Sequence, residues 1–402
     1  MIEGNRLRIL KEWLSGYSGA EPFSLHLNNL FRQHKNMGSR DRRAAREACY
    51  AALRVGNALP KDDWEKKIFA GLFSHSSKPN DIVLHIAERL KIPLVDAEYL
   101  LPIEEKFDWL RNHIAFAAST IFPFTEKVSE QVSIPNLLNH FFTQPAIFVW
   151  YKTKDESEIL TALKAENIEC VKLDARANCR KLPTGVSLDK LPEILRKKIQ
   201  VQDLSSQMAA PYFEPKPNDK VWDCCAASGG KSLLLHTTEP SVDLYVSDVR
   251  ANILQNLKKR FEDWGIIKYN QTVLNLENEH PKGLTFLGNK TIDHGYFDTI
   301  LLDAPCTGSG TWRRQPERLS QISEAEIASY SKKQKRIAAN VVPYLKPAGK
   351  LIYMTCSLYA EENENQVAAF CKELNLELIQ NDYLNAFTQG GDCLYLAVLR
   401  KL

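Results

Sequence analysis

Residues 220–232 read "KVWDCCAASGGKS". An apolar run ends on Asp223, two glycines follow, and "KSLLLHTT" continues as a helix. Strand, glycine turn and helix in that order open a parallel βαβ layer. Gly229 and Gly230 let the backbone approach a ligand, and the helix aims its N-terminus at the same place. The stretch ends like a phosphate loop. Such a loop has a glycine five positions before the Gly of its Gly-Lys pair, and here that position is Cys225. An NTPase is therefore disfavoured.

Working outward, the pattern repeats. "DLYVSD" (243–248) reads as a second strand, followed by the helix "RANILQNLKKRFEDWG". "YNQTVLNL" (269–276) is a third strand, and "FDTILLDAP" (297–305) a fourth with the continuous apolar core of a strand buried on both faces. A long helix over 323–345, the strand "AGKLIYMTCS" (348–357), the helix "EENENQVAAFCKEL" and the strand "CLYLAVLRKL" complete the region. The fold class is α/β, a doubly wound, mainly parallel sheet. In such sheets ligands bind beyond the carboxyl ends of the strands. Asp223, Cys224 and Cys225 close the first strand, Asp248 the second, Asn275 the third, Asp303 and Cys306 the fourth, and Cys356 the fifth.

The bulk numbers fit a multidomain globular chain. It has 402 residues, 44% of them hydrophobic and 25% charged, with a net charge of +3. Residues 1–130 read as mostly helical, with Ser39 as an N-cap and Pro79, Pro93 and Pro102 as punctuation. Within them, residues 31–54 carry seven Arg/Lys against two acids, a face that can meet phosphates or simply be solvated. Residues 131–200 alternate "AIFVWY", "DESEILTALKAE" and "IECVKLD", a small α+β module. The third region runs over 201–402. Nine cysteines without a CxxC pair argue against a zinc or redox motif, and no metal is expected. No signal peptide or membrane span is read, so a reduced, cytoplasmic setting is expected.

The chemistry follows from the strand ends. An acid 19 residues past Gly229, Asp248, suits a ribose diol. GxGxxG is absent, so a nucleoside ligand without phosphates fits better than a nicotinamide, and S-adenosylmethionine is such a ligand. Cys49, Cys170, Cys179, Cys371 and Cys393 read as inert small hydrophobes. Cys306 and Cys356 each follow a strand into a polar loop, where a helix N-terminus can lower a thiol's pKa. Two activated thiols beside a methyl donor suggest methylation of cytosine carbon 5. A thiolate adding at carbon 6 makes carbon 5 nucleophilic, and a base then removes its proton. Asp303 is placed to hold the base near N3 or the exocyclic amine. Spacing alone leaves open which thiol attacks.

The runs "VQDLSSQMAAPYFEPKPNDKVWDCCAASGGKS", "DVRANILQNLKKR", "FDTILLDAPCTGSGTWRRQPE", "GKLIYMTCSLYAEENENQV" and "GGDCLYLAVLRK" resemble the Sun/Fmu (RsmB-like) family of RNA cytosine-5 methyltransferases over roughly 200–402. The resemblance implies a Rossmann-like class I domain with a seven-stranded sheet. It implies that Cys356 is the nucleophile, that Cys306 assists product release, that Asp303 holds the cytosine and that Lys231 orients it. It implies S-adenosylmethionine binding by Cys225, Ala226, Ala227, Ser228, Gly229, Gly230 and Lys231, with Asp248, Asn275 and Asp303. More loosely, the helical region resembles a NusB-like RNA-binding domain and the small module an RRM-like one.

Three departures from the family pattern stand out. Ser228 replaces a proline of the glycine turn, Asn275 stands where a third-strand acid is usual, and "FVWYK" replaces "RVN" in the small module. Asn275 can still accept one bond from an adenine amine. The expected function is methylation of a cytosine in RNA, small-subunit ribosomal RNA before tRNA, by a monomer, with Arg313 and Arg314 as further RNA contacts. The rivals are a non-catalytic RNA-binding or assembly factor and a DNA cytosine methylase. Retention of both thiols, Asp303 and Lys231 disfavours the first, and the two-thiol pattern disfavours the second.

Overall fold

The computed structural model describes residues 2–174, 178–278, 284–286 and 290–402. The chain divides into two compact units.

One unit comprises Met1–Glu126, Val132–Gln144 and Thr311–Ser323. Its helices are α1 (Ile2–Ser15), α2 (Phe23–Gln33), α3 (Ser39–Arg54), α4 (Trp64–His75), α5 (Asp81–Leu90), α6 (Ile103–Ile114) and α7 (Ile134–Phe141). Small residues let α3 and α4 pack closely, and Gly71 lies so near the Ala51 carbonyl that no Cβ would fit. Asp63 and Asn80 cap α4 and α5 through the N–H groups of Lys66 (3.1 Å) and Ile82 (3.0 Å). Ser39 is not an N-cap. Gly38 takes the cap position in extended backbone, and Ser39 is already the first residue of α3.

The segment 311–323 folds into this helical unit, which moves the boundary expected from sequence. The Trp312 ring meets Phe122 at 5.4 Å. Glu317 Oε1 accepts the N–H of Phe23, the first residue of α2, at 3.1 Å. Asn57 Nδ2 donates to the Leu319 carbonyl at 3.4 Å. Residues 132–144 also belong here rather than with the small module.

The second unit comprises Lys127–Gln131, Pro145–Gly310 and Glu324–Leu402. Its strands β1 (Ile147–Tyr151), β2 (Val171–Lys172), β3 (Cys179–Leu182) and β4 (Ile199–Val201) form a small sheet of order β2-β3-β1-β4, with every pair antiparallel. Helix α8 (Glu156–Ala165) buries Ile159 and Leu163 against Val149 and Tyr151 of that sheet. Short helices α9 (Glu193–Lys198), α10 (Leu204–Met208) and α11 (Ala210–Phe213) lead to the main layer.

There, β5 (Lys220–Asp223), β6 (Asp243–Asp248), β7 (Asn270–Val273), an antiparallel pair of β8 (Leu284–Phe286) and β9 (Lys290–Ile292), β10 (Phe297–Asp303), β11 (Leu345–Thr355), β12 (Leu376–Asn385) and β13 (Cys393–Lys401) follow in the chain. Seven of them form one sheet of order β12-β13-β11-β10-β5-β6-β7. The pairs among β7, β6, β5, β10 and β11 are parallel, and β13 runs antiparallel to β11 and β12.

Alternate residues of the central strands feed two cores. Trp222, Ile300, Leu302, Leu351 and Tyr353 face one side, covered by α14 (Glu324–Val341) and α15 (Glu364–Glu373). Val221, Leu301, Ile352 and Met354 face the other, covered by α12 (Gly230–Thr238) and α13 (Ala251–Asp263). Each such side chain contributes about 1.5–3 kcal/mol of burial. The strand order reverses between β5 and β10, and the crevice at that switch point is where a ligand fits. Among the described residues, no helix is long and apolar enough to cross a membrane, and no group of three His, Cys, Asp or Glu is placed to hold a metal ion.

Candidate active site

The turn after β5 carries two left-handed residues, Ala227 (φ 47°) and Gly229 (φ 82°). A Cβ on Gly229 would stand 2.8 Å from Phe261 Cε1 and 2.9 Å from Leu257 Cγ of α13, so glycine is required there. The turn is tied to β6. The Ala226 N–H donates to the Ser247 carbonyl at 2.9 Å, and the Ala227 N–H donates to Asp248 Oδ2 at 3.0 Å. Ser228 gains a partner that a proline could not have engaged in the same way. Arg260 Nη1 donates to its carbonyl at 3.1 Å and its hydroxyl at 3.2 Å, so the turn is clasped from α13.

Asp248 ends β6 as a buried carboxylate. Burial alone would raise its pKa, but hydrogen bonds and charge from Arg250, with the Ala227 N–H, hold it below the ordinary value. Arg250 reaches it with Nε at 3.0 Å and Nη2 at 3.2 Å. Asn275 lies two residues past β7, in a loop joined to the end of β6 by the Leu274 N–H to Asp248 carbonyl bond of 3.2 Å. Its own amide oxygen accepts the Glu277 N–H at 3.1 Å. Cys225 sits half-buried in the turn, while Cys224 is buried and donates to the Leu301 carbonyl at 3.2 Å.

The charged centre lies between β5 and β10. Lys231, in the first turn of α12, is buried and pairs with Asp303 Oδ2 at 3.1 Å. It also donates to Ser206 Oγ at 3.3 Å. Burial works against the ammonium, yet Asp303 and the neighbouring Cys356 hold its pKa above the ordinary value. Asp223 is 1% exposed and accepts the Ser232 hydroxyl at 2.6 Å, while its Oδ1 has no hydrogen-bond partner. Burial, with smaller contributions from Asp303 and Asp248, pushes Asp223 up to about 7.

The thiols behave differently from the sequence expectation. Burial pushes Cys356 up to about 12, Asp303 adds to this and Lys231 pulls it back. Burial also holds Cys306 well above its ordinary value, with Glu362 and Cys356 adding to it. Backbone hydrogen bonds from Gly308 and Cys356 act in the opposite direction on Cys306 and mark the two thiols as neighbours. Short 3-10 turns at Ser309–Thr311 and Ala360–Glu362 follow the two thiol loops, in place of the α-helix N-termini expected to lower the thiols' pKa. The loops meet closely, with the Gly310 N–H donating to the Cys356 carbonyl at 2.8 Å.

The structure therefore brings Lys231, Asp303, Cys306 and Cys356 together, with the turn and Asp248 beside them. Arg313 is not at a surface. It is 1% exposed inside the helical unit, with Nη1 3.1 Å from Thr143 Oγ1 and 3.3 Å from His140 Nδ1, so it offers nothing to RNA. Arg314 is exposed. Sequence reasoning missed Ser206, Arg250, Arg260 and Glu362. The acidic run at 361–364 was the only sign of the last.

The description "16S rRNA methyltransferase RsmB/F" belongs to the family model that residues 210–391 match. Ribosomal RNA small subunit methyltransferase B of Proteus mirabilis is 31% identical over 247 residues, covering 61% of this chain and 56% of that protein. The Photorhabdus laumondii protein of the same name is 29% identical over 252 residues, covering 63% and 54%. The chain thus spans about half the length of the curated relatives it matches. Among solved structures, PH0851 superposes over 98% of both chains with a TM-score of 0.70 at 19% identity. NSun6 from Pyrococcus horikoshii, solved with SFG, covers 66% of this chain and 94% of its own, with a TM-score of 0.56 at 16% identity. These two likenesses show the fold.

Proposed function

We propose that the chain, whose residues 210–391 match the RsmB/F methyltransferase family model, is a member of that family and methylates carbon 5 of a cytosine in RNA. The observation that carries this reading is the cluster at the switch point. The Lys231–Asp303 ion pair, Cys356 and Cys306 all lie at the carboxyl ends of β5, β10 and β11. S-adenosylmethionine is the proposed cofactor, and it supplies an electrophilic methyl group when bound.

The donor set fits that cofactor. The ionised Asp248 offers two acceptors to a diol, and the turn Cys225–Lys231 lies beside it through the Ala227 N–H. Arg250 must share Asp248 with such a ligand. Asn275 stands at the same edge, where an adenine amine can be met.

Asp303 is placed to accept from the cytosine exocyclic amine, and Lys231 holds that carboxylate in one orientation. Lys231 also offsets part of what raises the Cys356 thiol. In the proposed sequence the Cys356 thiolate adds to carbon 6, carbon 5 takes the methyl group with S-adenosylhomocysteine as the leaving group, and Cys306 assists loss of the carbon-5 proton as the carbon 6–sulfur bond breaks and returns the Cys356 thiolate. The target base must be unpaired or flipped out to reach the sheet edge.

Small-subunit ribosomal RNA is the proposed substrate class. The NusB-like reading of the helical unit is supported by the end of α2, the turn after it and α3, where Arg32, Lys35, Arg40, Arg43 and Arg46 are exposed. The RRM-like reading of the small module rests on its four-stranded antiparallel sheet and packed helix.

The test is incubation with tritiated S-adenosylmethionine and total RNA from a strain lacking the gene. Label in 5-methylcytosine of RNA is expected. Label only in DNA or protein would overturn the reading. Bisulfite mapping of RNA from the same strain separates ribosomal RNA from tRNA.

A further inference from the structure

A run such as "AEENENQ" (360–366) is ordinarily a solvated acidic face. Glu362 is 0% exposed. Its Oε1 accepts the N–H of Thr307 at 3.0 Å and Nε2 of Gln334 at 2.9 Å. Its Oε2 accepts the hydroxyls of Thr307 and Ser357, each at 2.5 Å. Thr307 follows Cys306 and Ser357 follows Cys356, so two loops 50 residues apart in sequence meet on one carboxylate. The two hydroxyls are themselves 3.2 Å apart.

A buried carboxylate fed by four neutral donors costs desolvation, and such a network fixes geometry when every member is satisfied. The next residue, Asn363, separately holds the residues on either side of Cys356. Its Nδ2 donates to the Ser357 carbonyl at 2.8 Å, and its Oδ1 accepts the Thr355 hydroxyl at 2.5 Å. Thr307 gives both its N–H and its hydroxyl to Glu362, so removing the carboxylate falls chiefly on the Cys306 loop.

We propose that Glu362 is a positioning residue that holds both thiol loops on one carboxylate, so that Cys306 meets the adduct formed on Cys356. This rests on the methyltransferase reading above. The charge of Glu362 also raises Cys306, which gives a second signature.

The test uses the full chain, tritiated S-adenosylmethionine and total RNA from a strain lacking the gene. For Glu362→Gln, kcat is expected to fall about tenfold or more, with the KM for S-adenosylmethionine within about twofold. Protein–RNA adduct should accumulate on denaturing gels, and the pH profile of turnover should move to lower pH. Glu362→Asp keeps the charge and should retain the wild-type profile while losing kcat. Wild-type kcat and profile in Glu362→Gln would overturn the proposal. If that variant does not fold by thermal melt, Thr307→Val removes one link, and its wild-type turnover without adduct would overturn it equally. Wild-type protein that labels no RNA would overturn the methyltransferase reading itself, and this proposal with it.

Discussion

At the residue scale, the two thiols separate by what surrounds them. Cys356 lies beside the Lys231–Asp303 pair, while Cys306 lies beside Glu362. Cys356→Ala should abolish turnover and leave no covalent adduct. Cys306→Ala should accumulate an RNA adduct that survives denaturing gels. Normal release by Cys306→Ala together with methylation by Cys356→Ala would overturn the assignment.

Asp223 makes a second prediction, in stability. Its folded pKa of about 7 lies above its ordinary 3.8. Below about pH 4 both folded and unfolded chains hold the proton. As pH rises towards 7, the unfolded chain ionises first, so the contribution of the protonated group is lost. Asp223→Asn does not titrate. Wild type should therefore lose Tm relative to Asp223→Asn between about pH 4 and 7, by a few °C, and level off above. Parallel Tm curves for the two proteins would show that Asp223 ionises normally.

At the element scale, the turn between β5 and α12 is the most constrained piece. Both its glycines and its following helix were legible in "CCAASGGKS", because the local pattern leaves few other readings. The clasp of Ser228 by Arg260 was not, since Arg260 is 32 positions away. Gly229→Ala would place a Cβ against Phe261 and Leu257 in left-handed backbone. The conformation alone costs about 1–2 kcal/mol. Titration calorimetry should show S-adenosylmethionine binding weakened about tenfold or more, with a lower Tm, and unchanged affinity would show that the turn relaxes freely. The edge strand β12 was not read from the sequence. Most of its side chains are exposed, so it lacks the apolar alternation that marks a half-buried strand.

At the scale of the whole molecule, the order of residues along the chain does not follow the two units. Segment 311–323 leaves the catalytic sequence four residues after Thr307 and folds with the helices. Trp312, Leu319 and Ile322 are buried there. A fragment of residues 145–402 would expose all three and should aggregate. The same fragment with 311–323 replaced by a Gly-Ser linker should stay in solution by size-exclusion chromatography. Equal solubility of the two would mean that the segment finds cover without the helices.

The sequence by itself determined what is local. Periodicity set the alternating strands and helices, and the ends of those strands put Asp223, Asp248, Asp303, Cys306 and Cys356 at one edge. Tertiary structure decided burial, and burial decided chemistry. Glu361 pairs with Lys127 at 2.7 Å and stays partly exposed, whereas its neighbour Glu362 is enclosed by Thr307, Gln334 and Ser357. Arg314 reaches solvent while Arg313 is packed away. Spacing suggested that the thiols would be activated, but their surroundings raise both pKa values. Desolvation depends on atoms supplied by distant parts of the chain, which no local spacing records.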